Sequence, residues 1–98
     1  MKFKSERDIL VDALSAASRV VGTRNIGATS GLLLNLSGNQ MVVTGTDLDL
    51  TVRTTVDVIG IEDGSVVVPA KLIVDAVRSL EPGAVTINTT DENVEISL

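Results

Sequence analysis

At 98 residues the chain can enclose one core but not two. It has no Cys, His, Trp or Tyr and a single Phe, which excludes disulfides, thiolate or imidazole metal sites, His- or Cys-based catalysis, and aromatic platforms for stacking bases. Its net charge of −5 is unevenly spread, with five basic and five acidic side chains in residues 1–49 but three and eight in residues 50–98. Taken alone, this acidity argues against tight, non-specific binding of phosphate. The opening Met1-Lys2-Phe3-Lys4-Ser5-Glu6 has no apolar leader, and no apolar run approaches membrane-spanning length, so a cytoplasmic protein is expected.

In chain order, Lys2-Phe3-Lys4 reads as a short strand. Ser5 stands three residues before Asp8, a variant of the capping box that opens helices. Apolar residues at 9, 10, 13, 14, 17, 20 and 21 predict a helix over roughly residues 6–21, stopped at Gly22. Thr23–Ser30 reads as a loop carrying Arg24. Three strands follow. Leu32, Leu34 and Leu36 form one face of the first, and Gly38-Asn39 is a hairpin signal leading into Met41–Thr44. In the third, Val52, Thr54, Val56 and Val58 share a face, before a polar turn at Glu62–Ser65. Val66–Val68 is a strand stopped by Pro69, a residue suited to a helix's first turn. A helix over roughly 70–80 has Ile73, Ala76, Val77 and Leu80 on its apolar stripe, and Glu81-Pro82-Gly83 ends it. Val85–Ile87 and Val94–Leu98 then form a hairpin.

The chain repeats itself. Ile9-Leu10-Val11-Asp12-Ala13-Leu14 recurs as Leu72-Ile73-Val74-Asp75-Ala76-Val77, each copy following a strand and preceding alternating β-type sequence. The expected architecture is one α+β domain over 1–98, a duplicated β-α-β-β-β unit with two helices on antiparallel sheets. The first unit covers about 1–60. The second, about 65–98, is one strand short, which leaves an unpaired edge.

Chemistry is sparse. Asp47 and Asp49 could offer two carboxylates to a hard cation such as Mg²⁺, but without a third ligand nearby they read as solvated acids at a strand end. Gly22, Gly27 and Gly31 lack the context of a phosphate-binding loop. No metal, cofactor or catalytic residue is assigned. Asp8, Asp12, Ser15 and Arg19 lie off the apolar stripe of the first helix. Lys71, Asp75 and Arg78 share the polar face of the second, with Lys71–Asp75 a candidate ion pair.

Met1–Asp8, Gly31-Leu32-Leu33-Leu34, Thr44-Gly45-Thr46-Asp47-Leu48-Asp49-Leu50 and Val67-Val68-Pro69-Ala70-Lys71 together resemble the N-terminal domain of the bacterial DNA polymerase III β sliding-clamp family, in order along the whole chain. The resemblance implies a non-enzymatic processivity module. In that family three such domains form each chain, and two chains close head-to-tail into a ring around duplex DNA, helices inward and sheets outward. Contact with DNA is then weak and independent of sequence. Partners are the replicative polymerase and clamp loader, met through the full-length clamp; no membrane is involved. By position the resemblance assigns DNA contact to Arg24, Lys71 and Arg78, and on helical phase to Arg19; Arg7 belongs to the opening motif, as either a contact or a structural residue. The loop after Arg24 departs from the family in lacking proline, and Leu72 stands where some members are basic. With the last strand and later domains absent, these 98 residues are expected neither to close a ring nor to bind clamp-binding peptides. The alternative is an α+β interaction domain that pairs through an exposed sheet edge and has no nucleic-acid role.

Overall fold

A computed structural model describes residues 1–21, 31–47, 49–90 and 93–98. The elements are β1 (Lys2–Glu6), α1 (Arg7–Ser18), β2 (Gly31–Ser37), β3 (Gln40–Thr46), β4 (Thr51–Asp57), β5 (Ile59–Glu62), β6 (Gly64–Pro69), α2 (Ala70–Arg78), β7 (Ala84–Thr89) and β8 (Val94–Ser97). They make two four-stranded antiparallel sheets, β4-β3-β2-β6 and β5-β1-β7-β8. The helices pack on each other and share one core with the inner faces of both sheets, in which Phe3, Leu10, Leu14, Leu32, Leu34, Met41, Val77 and Ile87 are fully buried.

Each half lends its first strand to the other half's sheet. β1 pairs with β7 so that Ser5 faces Val85 and Phe3 faces Ile87; β6 pairs with β2 so that Val68 faces Leu32 and Val66 faces Leu34. The hairpins also correspond, Leu34 opposite Val43 and Ile87 opposite Ile96. One equivalence therefore maps β1-α1-β2-β3 onto β6-α2-β7-β8. Two equivalent pairs touch: Arg78 with Ser15, and Gly64 with Met1. Such pairs can meet only across the pseudo-two-fold axis, which places that axis between the helices and between the starts of β1 and β6.

Several local expectations change. Ser5 does not cap α1. It is buried in β1 opposite Val85, and Glu6 is the N-cap, with no side-chain bond. Strand pairing outweighs the cap, and Asp8 is held by Arg7 instead. Helix α1 is shorter than the periodicity suggests. Val20 and Val21 close tighter turns onto Ala17 and Ser18, and the expected stop at Gly22 lies outside the described residues.

The segment after Val58 is a strand, not the approach to a turn. Having paired with β3, the chain crosses at Val58 to the other sheet and pairs with β1 as β5. Two bonds to Asn39 steer the crossing: the Val58 N–H donates to its carbonyl at 2.9 Å and the Gly60 N–H to its Oδ1 at 3.0 Å. A Cβ at residue 60 would collide with the Gly38 carbonyl, so glycine is required there by contact. Gly45 is required likewise, because the Ala17 carbonyl of α1 rests directly on β3.

Candidate nucleic-acid interface

The exposed faces of α1 and α2 lie side by side and correspond position by position. Asp8, Ile9, Asp12 and Ser15 on α1 match Lys71, Leu72, Asp75 and Arg78 on α2. All but Ser15, which is half-buried, are exposed. Their buried faces match too, with Leu10 and Leu14 on α1 against Ile73 and Val77 on α2. The helical period alone puts the polar set on one stripe, since residues four and seven apart return to the same side.

Three of the four residues assigned to DNA fall among the described residues, and all three are exposed. Arg78 bridges the helices. Its Nη2 donates to Ser15 Oγ at 3.2 Å, while Nη1 stands 3.9 Å from Asp75 Oδ1. Asp75 thus belongs to Arg78 and not to Lys71. The expected Lys71–Asp75 pair gives way to this one because Ser15, on the neighbouring helix, anchors Arg78 at the axis. With both partners more than half exposed, this pair is worth at most a few tenths of a kcal/mol and yields readily to a phosphate. Lys71 and Arg19 have no ion-pair partner among the described residues, and Arg19 ends α1 through its backbone N–H, bonded to Ser15. Arg24 lies outside the described residues.

Arg7 has a structural place. Its Nη1 donates to the carbonyls of Leu80 at 2.7 Å and Arg78 at 3.3 Å, and its Nε and Nη2 hold Asp8. A cation thus closes the C-terminal end of α2, where free carbonyls accumulate. No sequence signal marked this contact, because it joins residues 73 apart.

Asp47 is likewise committed. Its Oδ1 accepts from the N–H groups of Asp49 at 3.0 Å and Leu50 at 2.7 Å, forming the β3–β4 turn rather than sharing a strand face with Asp49. Among the described residues no three acidic side chains gather into a cation site. Nor is any helix there long and apolar enough to cross a membrane.

Two antiparallel sheets, exchanged first strands and paired helices with a charged outer face define a domain of the DNA-clamp fold. The family described as DNA polymerase III beta subunit, N-terminal domain, matches residues 1–98, and the chain belongs to that family. It is 37% identical over 87 residues to the beta sliding clamp of Vibrio cholerae serotype O1, and 35% over 88 residues to that of Micrococcus luteus. These spans are 87% and 89% of this chain but 24% and 28% of the relatives. The Caulobacter crescentus pol III beta structure superposes with a TM-score of 0.93 at 30% identity, covering 99% of this chain and 27% of that one. DNA polymerase III subunit beta of Pseudomonas aeruginosa gives 0.93 at 28%, with the same coverage. The chain thus spans about a quarter of the length of the relatives it matches.

Proposed function

We propose that this chain is a non-catalytic processivity module of DNA replication, one part of a sliding clamp whose α1–α2 face turns toward duplex DNA. Arg24, Lys71, Arg78 and Arg19 would touch phosphates without reading bases. The head-to-tail ring, the polymerase and clamp-loader partners and the cytoplasmic setting belong to this proposal, as does the division into units of about 1–60 and 65–98.

The observation that carries the reading is the outer helix face, set in a fold that follows sliding-clamp structures along its whole length. That face holds three cations on long side chains, Arg19, Lys71 and Arg78, none fixed by a buried partner, beside Asp8, Asp12 and Asp75. The mixture suits a surface that must pass along DNA, since near-balanced charge attracts phosphate without holding it. Membership of the clamp family disfavours a plain interaction domain as the function.

Fluorescence anisotropy with a labelled duplex at low salt tests the proposal. Binding should be weak and indifferent to sequence, and should fall with salt at a slope of about −0.9 per phosphate contact. Replacing Arg24, Lys71 and Arg78 together with Ala should flatten that slope by about three contacts. An unchanged slope would remove these residues from the interface. Sedimentation of the 98-residue chain should show no ring-sized species.

A further inference from the structure

The two-fold that relates α1 to α2 does not relate their charges. Arg7, the first residue of α1, donates from its backbone N–H to the Gly83 carbonyl and from Nη1 to that of Leu80, both beyond the end of α2. The packed helices therefore run antiparallel, and the end of α1 that carries Arg19 lies beside the start of α2 that carries Lys71. One end of the shared face gathers Asp8, Asp12 and Glu81, all exposed, against Arg7, whose guanidinium is taken up by Asp8 and the α2 carbonyls. The axis and the other end hold Arg19, Lys71 and Arg78 against Asp75.

The α1 end is thus acidic and the α2 end basic. Asp12 has no ion-pair partner among the described residues, whereas its equivalent, Asp75, is occupied by Arg78. Asp8 and Arg19 stand about 16 Å apart along the helix axis. That exceeds the Debye length of about 8 Å at physiological salt. A phosphate over either end therefore responds mainly to the charges beneath it.

We infer, given the DNA-facing role proposed above, that the duplex seats off-centre, over the axis and the α2 end only, and that Asp12, with Asp8 and Glu81, fends it off the α1 end. Attraction at one end and repulsion at the other keep phosphate contacts few, as sliding requires. Ile9 and Leu72 sit at equivalent points of the two ends, 52% and 67% exposed, so the pair reports which end the duplex covers.

The chain has no Cys, so Ile9→Cys and Leu72→Cys each offer a single thiol for a benzophenone maleimide. Each labelled chain is irradiated with a mixed-sequence duplex at low salt, which accumulates even short-lived contacts as cross-links. The yield at position 72 should exceed that at position 9 about fivefold, a ratio that falls toward one as salt rises. Adding Asp12→Asn should raise the yield at position 9 about twofold and leave position 72 unchanged. Equal yields, or more at position 9, would overturn the off-centre seating while leaving the DNA-facing role in place. So would a ratio that high salt does not alter, since exposure of the label and not charge would then set it. An unchanged yield at position 9 with Asp12→Asn would overturn the steering by Asp12. Cross-links at neither position would refute the DNA-facing role itself, and the off-centre seating with it.

Discussion

The two halves of the molecule share a backbone plan and differ in what covers it. Leu36 and Met41 close the hairpin core of the first half, at 1% and 0% exposure, beneath a strand that runs on into the other sheet. At the matching places in the second half stand Thr89, buried at 8%, and Val94, exposed at 40%. The Thr89 hydroxyl donates to the Met1 carbonyl, so its burial leaves no polar atom unpaired. The helices diverge in charge instead of cover: Asp8 and Ser15 on α1 become Lys71 and Arg78 on α2. Pairing register follows from the repeated pattern, whereas burial depends on whether a neighbouring strand is present. Surface charge is free to vary because it lies off both.

The sharpest test of this comparison is an equivalent pair in the shared core. Leu34→Ala and Ile87→Ala should each cost about 2–5 kcal/mol in denaturant unfolding. A much smaller cost for Ile87 would mean that the halves are not equally packed. Next, Met41→Ala should cost about as much, while Val94→Ala should stay within about 0.5 kcal/mol. Equal costs would break the contrast in cover.

Gly60→Ala should lose about 1–3 kcal/mol, since the Gly38 carbonyl must give way at the crossing between sheets. Arg7→Ala should lose a comparable 1–3 kcal/mol, about the worth of charged hydrogen bonds to the end of α2, with Arg7→Lys recovering only part. Smallest in stability terms is Asp75→Asn, at a few tenths of a kcal/mol. It should nonetheless raise duplex affinity a few-fold at low salt by freeing Arg78, and a fall in affinity would place the pair in a positioning role.

Much of this was legible in the chain. The Val-Asp-Ala repeat foretold paired helices, and the alternation at Val52, Thr54 and Val56 foretold the inward face of β4, while Val58, the last of that series, is buried just past the strand at the crossing. Polar stripes on both helices were readable from period alone. Strand β5 was missed because Ile59-Gly60-Ile61-Glu62 is too short and too exposed to show a clear alternation. It is a strand only because β1 lies beside it. The Ser5 cap failed for a related reason, as the local signal competed with a ladder to Val85, 80 positions away. At the candidate interface, spacing placed Lys71, Asp75 and Arg78 on one face but favoured Lys71 as the partner of Asp75, where the structure has Arg78. Ser15, on the other helix, made that choice.

By itself, the sequence determined the α+β class, the two-fold repeat, the helix faces and the absence of Cys and His chemistry, because these rest on periodicity and composition along contiguous residues. Tertiary structure alone decided the exchange of β1 and β6 between sheets, the crossing at Val58, the Arg7 contact with α2 and the Arg78–Ser15 bridge. Each of these joins residues far apart in the chain, and a periodic pattern records only which face is turned inward, not what waits on the other side.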